Sequence, residues 1–306
     1  MTPKMHPMPT TLIEPTGLAR HLDDPGWAIL DCRFDLARPD WGAHAFAAAH
    51  IPHALYAHLD EDLSAPRTAR SGRHPLPQVE VLAATFGRWG IDERVQVIAY
   101  DQGSGAFAAR LWWLLRWLGH PPVAVLNGGL AAWERAGLPL STENEPRAPR
   151  RFTARPDGRL LATGTEVAAA VGSGALTCGQ QLLIDARSAD RFAGENETID
   201  PVAGHIPGAR NHPFAGNLDA QGRFLEAGQL RRSWDNTLRG VSPRQLIAMC
   251  GSGVTACHNL LALEVAGFPG ARLYAGSWSE WITDPAHPVA RGSDDHGETS
   301  GRDTLT

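Results

Sequence analysis

The sequence predicts an α/β protein of two tandem domains, each a mostly parallel sheet flanked by helices. Three observations predict it. The chain has 306 residues, about twice the length of an ordinary domain. Short apolar runs alternate with helix-like segments throughout, the pattern of strands joined by helical crossovers and buried on both faces. And the order of segments in the first half returns in the second at an offset of about 150 residues, which is a tandem duplication and not a short-period solenoid.

Taken in order, Ala28 to Asp31 is an apolar run that ends in an acid and passes into Cys32 and Arg33, a strand with its C-terminal loop. The segment around Ile51 follows, then a second strand from Val95 to Tyr100, a helix from Ala106 to Leu118 and a third strand from Val123 to Leu126. The turn Asn127-Gly128-Gly129 leads on to Trp133. In the second half Leu182 to Asp185, with Ala186 and Arg187, repeats the first strand and its loop. Gly204 to Ala209 repeats the segment around Ile51, Gln245 to Met249 repeats Val95 to Tyr100, and Gly276 to Trp281 repeats the turn that ends at Trp133. The domains are therefore placed at 11–142 and 161–290. Between them, Ser141 to Arg151 is polar, charged and proline-containing, so 143–160 reads as a linker, with the three arginines from Arg147 to Arg151 as its solvated face. The segment 291–306 is rich in Gly, Ser, Asp and Thr without periodicity and reads as a disordered tail.

Composition excludes several classes. Hydrophobic residues make up 43% and charged residues 20%, enough apolar side chain for a sizeable core. A net charge of −5 and a pI near 6.2, without a dense Lys/Arg cluster, argue against nucleic acid as partner. No apolar run is long enough for a membrane span and Met1 to Thr10 lacks a signal-peptide core, so a cytoplasmic, reducing setting is expected. Cys32, Cys178, Cys250 and Cys257 form no CxxC pair and no metal-ligand spacing with the histidines, so neither a metal nor structural disulfides are expected. The tryptophans Trp112, Trp113, Trp117, Trp133, Trp278 and Trp281 lie in apolar runs at helical spacing and read as core.

The stretch Gln245 to Glu264 carries the chemistry. An apolar run ends in Cys250, a glycine-punctuated turn follows, and a helix begins near Thr255. If Gly251 and Gly253 take positive φ, the N–H groups of the loop through Val254 and Thr255 converge on one point, to which the helix adds the positive end of its dipole. Such a bowl favours the thiolate, the reactive form of cysteine, and holds an anionic sulfur or oxygen group brought to it. A cysteine-dependent phosphatase would close its loop with an arginine about six positions after the nucleophile. That position is Ala256. Sulfur transfer, in which the cysteine becomes a persulfide, needs no such cation. The first copy has Asp101 where the second has Cys250, and a carboxylate cannot accept sulfur, so the first domain is expected to be catalytically silent.

The loop Cys250-Gly251-Ser252-Gly253-Val254-Thr255-Ala256 resembles the active-site loop of the rhodanese-type sulfurtransferases, in particular the 3-mercaptopyruvate sulfurtransferase form. Relatives that prefer thiosulfate usually carry basic residues at the two positions held here by Gly251 and Ser252. The resemblance runs from about Leu22 to Val289. It is close at Asp185 to Arg187, Arg191-Phe192, Gly204 to Gly208 and Tyr274 to Trp281, and implies two tandem rhodanese-like domains with an inactive first copy.

The resemblance also implies roles. Arg191 matches the arginine that anchors the substrate carboxylate, with Arg187 second to it; an ion pair with Asp185 is the simpler role for Arg187. Relatives commonly bring another arginine in the following loop, whereas Glu195 to Asp200 has no cation, which leaves the donor open. Ser252 would join a Ser-His-Asp relay with His74 and Asp60, for which Glu61 and Asp62 are substitutes, while a plain surface histidine is the alternative for His74. Cys257, His258 and His205 are read as packing and bracing residues. The expected activity is transfer of a sulfane sulfur from a small anionic donor, 3-mercaptopyruvate, through a Cys250 persulfide to cyanide, a thiol or a thioredoxin-like protein, with no cofactor. The rivals are a thiosulfate:cyanide sulfurtransferase and a persulfide-carrying or regulatory binding module with little turnover.

Overall fold

The computed structural model describes residues 8–293 and contains two five-stranded sheets. The first comprises β1 (Leu12–Ile13), β2 (Trp27–Asp31), β3 (Ala54–Tyr56), β4 (Gln96–Tyr100) and β5 (Val123–Leu126), in the order β1-β5-β4-β2-β3. The second comprises β6 (Leu161–Ala162), β7 (Leu182–Asp185), β8 (Arg210–Asn211), β9 (Leu246–Met249) and β10 (Arg272–Tyr274), in the matching order β6-β10-β9-β7-β8. Every pairing between these strands is parallel. The central strands are buried on both faces, which is why they read as unbroken apolar runs.

The register makes the duplication exact at its centre. Asp31 is opposite Tyr100 in the first sheet and Asp185 is opposite Met249 in the second. Asp101 and Cys250 are thus the next residue after equivalent strand ends. Both lie at the carboxyl edge of an open parallel sheet, where such sheets bind ligands.

One hydrophobic cluster spans the two halves, and each half has a further one of its own. The helix Ala108–Trp117 packs on the helix Thr255–Val265, and the cluster that includes Trp112, Trp113, Leu260 and Leu261 spans both sheets. All six tryptophans noted in the sequence are buried.

The stretch predicted to be a solvated linker is mostly exposed, and it also acts as a strap. Between Ser141 and Asp157 it has no helix, but it is pinned to the first half: Arg150 N donates to Gly87 O, Arg155 N to Leu118 O, and Phe152 is buried against Phe86. Arg147 donates to the carbonyls of Pro25 and Trp27, and Arg150 pairs with Asp92, so two of the three arginines from Arg147 to Arg151 are structural. Irregular backbone crossing a surface must satisfy its polar groups locally, and the arginines help do so. Of the predicted tail, residues 294–306 lie outside the described residues. Among the described residues, no helix is long and apolar enough to cross a membrane.

Candidate active site

Cys250 follows the last residue of β9, and the chain then turns sharply before the helix Thr255–Val265. The turn depends on Gly253, whose φ is +78° and whose missing Cβ would lie 2.4 Å from Ala275 O. Gly251 departs from expectation in that its φ is not positive. Its missing Cβ instead makes room for Arg73, since a Cβ there would come within 2.7 Å of that guanidinium and push it aside. The loop places two N–H groups on the Cys250 sulfur: Gly253 N at 3.1 Å and Ser252 N at 3.5 Å from Sγ. The residue is only 2% exposed, yet it lines a cleft of about 330 Å³ between the two halves. Val254 and Thr255 line the same cleft.

A polar chain crosses this cleft. His74 Nδ1 lies 2.7 Å from Ser252 Oγ, and His74 Nε2 lies 3.2 Å from Asp60 Oδ1. The ionised carboxylate can only accept, so Nε2 carries the ring proton and Nδ1 accepts from the serine hydroxyl. Hydrogen bonding to His74 holds the Asp60 carboxyl below its usual value. Burial lowers the His74 imidazole from its ordinary value, with Asp60 opposing and Arg110 and Arg73 adding to the effect. The imidazole is therefore neutral at pH 7 and not a surface group. The substitutes considered for Asp60 are elsewhere: Asp62 accepts from His58 N and faces Arg88, while Glu61 has its backbone N–H on His58.

Arg191 also lines the cleft, but its guanidinium is engaged by Glu197 and Asp200. The loop 195–200 is thus not merely without a cation; it supplies two carboxylates. Burial pushes the Asp200 carboxyl up, against the pull of Arg73 and Arg191. Glu197, which burial would raise, is held below its ordinary value by backbone N–H groups and by Arg191.

Arg187 lines the cleft as well, and it makes the ion pair with Asp185 expected as its simpler role. Its side chain is spent on Asp185, Glu197 and Gly204 O, and it stacks over Trp278. Arg33 and Asp31 make the equivalent pair in the first half, so this is a fold-level brace used twice.

Sequence reasoning missed Arg73. It comes from the first half, lies over Gly251 and hydrogen-bonds Asp200 of the second, while its buried Nε has no partner. The only available signal was its position beside His74. The cation absent from 195–200 enters the cleft from the other domain.

The remaining residues behave as braces. Cys257 donates to Gly253 O, and burial pushes its thiol up to about 12. His258 spans the halves, with Nε2 on Ser104 O and its ring stacked on Phe224, and His205 stacks on Phe192. Asp101, fully buried, accepts the N–H groups of Gly103, Gly105, Phe107 and Ala108. All four cysteines are free, and among the described residues no His/Cys/Asp/Glu group is arranged to hold a metal ion.

Comparison with known proteins agrees with this fold. The model for the rhodanese-like domain matches the chain twice, over residues 14–136 and 165–284. A probable 3-mercaptopyruvate sulfurtransferase of Pseudomonas aeruginosa is 52% identical over 277 residues, covering 90% of this chain and 96% of the relative. A putative thiosulfate sulfurtransferase, SseB, of Mycobacterium tuberculosis is 40% identical over 271 residues, covering 87% and 91%. The crystal structure of SseA from Escherichia coli superposes with a TM-score of 0.75 at 33% identity, covering 89% of this chain and all of that one.

Proposed function

The chain belongs to the rhodanese-like domain family and is a sulfurtransferase, and from that premise we propose that it takes sulfur from 3-mercaptopyruvate onto Cys250 and passes it to a thiol acceptor. The observation that carries the proposal is the meeting, in one cleft, of a cysteine sulfur receiving two N–H groups and an Asp60–His74–Ser252 chain.

The Cys250 thiolate attacks the donor sulfur. A sulfur–sulfur bond forms, the carbon–sulfur bond breaks, and its electron pair passes to the ketone-bearing fragment as an enolate. The proton released from the donor thiol returns to that enolate carbon through Ser252 and neutral His74, giving pyruvate. Asp60 fixes the tautomer that makes Nδ1 the acceptor. The persulfide is held by the N–H groups of Ser252 and Gly253. In the second half-reaction an acceptor thiolate, from a small thiol or a thioredoxin-like protein, attacks the outer sulfur and returns Cys250 as thiolate. Arg73 and Arg191 orient the donor carboxylate. A reducing compartment suits a resting thiolate.

A second reading, thiosulfate as donor, has one observation in its favour: the two arginines suit a sulfonate as well as a carboxylate. One experiment separates the two. Each donor is offered to the reduced protein, and mass spectrometry follows the gain of one sulfur on the Cys250 peptide together with the initial rate. Faster loading by 3-mercaptopyruvate, abolished in Cys250→Ser, supports the first reading; faster loading by thiosulfate supports the second; loading elsewhere rejects both.

A further inference from the structure

Arg110 is wholly buried, with 0% of its surface exposed, in the helix Ala108–Trp117 of the first half. Charged side chains are almost never fully buried unless an opposite charge pairs with them. Among the described residues, Arg110 has no carboxylate partner. Its guanidinium instead donates to three carbonyls: Gly253 O at 3.3 Å, His74 O at 3.2 Å and Leu63 O at 3.4 Å. Its Nε has no partner at all.

Those three carbonyls are not a random set. Gly253 belongs to the loop that holds the Cys250 sulfur, His74 is the middle of the polar chain, and Leu63 closes the turn that carries Asp60. A single planar fork ties together the three segments whose side chains meet in the cleft.

The charge itself has no carboxylate to balance it among the described residues. Burial draws the guanidinium down from its ordinary value, and the nearby sulfurs of Cys257 and Cys250 act in the opposite sense. An arginine stays protonated throughout the working range. Cys257, with its thiol pushed up to about 12, remains neutral and cannot balance it. That leaves the sulfur on Cys250, or an anionic group brought to it, as what this charge can act on. Low surrounding polarity makes such a charge act strongly over several ångströms.

We propose that Arg110 is a positioning residue of the sulfur-transfer site, a buried cation that the first domain places beneath the loop to favour anionic sulfur on Cys250. The inference rests on Cys250 being the sulfur-accepting residue. It assigns the first domain an electrostatic part in the chemistry besides the walls of the cleft.

The test compares Arg110→Gln, which keeps a donor and loses the charge, with Arg110→Lys, which keeps the charge and loses the fork. The readouts are the rate of Cys250 alkylation by iodoacetamide at pH 7, followed on the Cys250 peptide, and thiolate absorbance near 240 nm, with no sulfur donor present. The Gln variant should alkylate about tenfold more slowly with reduced thiolate absorbance, because alkylation follows the thiolate fraction. The Lys variant should retain a rate within about threefold of the parent, because a cation remains in the low-dielectric site. If Gln does not fold, Arg110→Met supplies the neutral comparison, since apolar replacement of a buried ion is often tolerated. Unchanged alkylation in a folded neutral variant would overturn the proposal. So would equal slowing in the Lys and neutral variants, which marks a structural brace alone. Persulfide loading of the parent protein is a separate measurement, and its failure would reject the nucleophile without bearing on the alkylation ratio.

Discussion

His74 Nδ1 stands 2.7 Å from Ser252 Oγ, although 178 positions separate the two residues in the chain. The contact exists only because the first domain packs over the loop of the second. It divides donors by the chemistry of their leaving groups. When 3-mercaptopyruvate gives up sulfur, an enolate carbon must be protonated; when thiosulfate does, sulfite leaves as a stable anion and needs no proton. Ser252→Ala and His74→Gln should therefore lower kcat with 3-mercaptopyruvate by about a hundredfold, within the usual range for a lost acid–base relay. The rate with thiosulfate should fall far less. Steady-state rates on both donors check this, and equal losses on the two would remove the relay.

The state of that histidine is itself measurable. Burial disfavours its charged form and Asp60 favours it, so its midpoint should lie below 6.5 and fall further in Asp60→Asn. Because the folded value is depressed, the unfolded chain binds more protons as the pH drops through 6.5, and the neutral ring persists in the native state down to its own lower midpoint. An NMR titration of the His74 ring protons follows this directly. A midpoint at or above 6.5 would contradict the burial argument.

Asp200 bridges Arg73 and Arg191, one from each domain, and so competes with any anionic donor for both guanidinium groups. Asp200→Asn should release them and lower KM for 3-mercaptopyruvate by about threefold to tenfold, on the scale of one charge-assisted hydrogen bond. Arg73→Gln should raise KM by a similar factor. The raised carboxyl of Asp200 gives the same effect a pH signature: it takes up a proton sooner than an ordinary carboxylate as the pH falls, so KM should fall toward mildly acidic pH in the parent and stay flat in the Asn variant. Matching pH profiles in the two proteins would rule Asp200 out as the competitor.

The paths of the strands, the parallel sheets, the duplication and the cysteine loop were legible because each is local. Apolar runs such as Leu182–Asp185 and Leu246–Met249 announce a buried parallel strand, and Gly253 announces the turn it makes. What escaped is what two distant segments make together. Arg73 reaches a carboxylate 127 positions away, and nothing in its own neighbourhood says so. The same holds for Gly251, whose missing side chain makes room for that arginine, and for Phe152, which turns a polar stretch into a packed strap. The His74 and Asp60 positions came from family resemblance, since a histidine in a polar loop has no sequence signal of burial. Arg191 follows from the same resemblance, while the acids that hold it, Glu197 and Asp200, register in the sequence only as a missing arginine.

Asp101 shows what the first domain does with the position that carries sulfur in the second. Its two oxygens receive four backbone N–H groups at 2.9 to 3.3 Å, so the bowl is filled by the chain's own carboxyl, which burial pushes up against the pull of those N–H groups. A loop built to converge N–H groups must satisfy them, and a buried donor left without an acceptor costs about 1–3 kcal/mol. In Asp101→Asn one oxygen becomes an NH₂ that points donors at donors, so the substitution should destabilise the protein by about 2 kcal/mol on the same scale. Urea unfolding should report this as a lower midpoint without a change in slope. The loading of Cys250 by a sulfur donor should persist in the folded protein, because Asp101 is closed to the cleft. If stability is unchanged, the carboxylate is not what holds that loop; if stability falls and Cys250 loading disappears with it while the protein remains folded, the first domain is not silent.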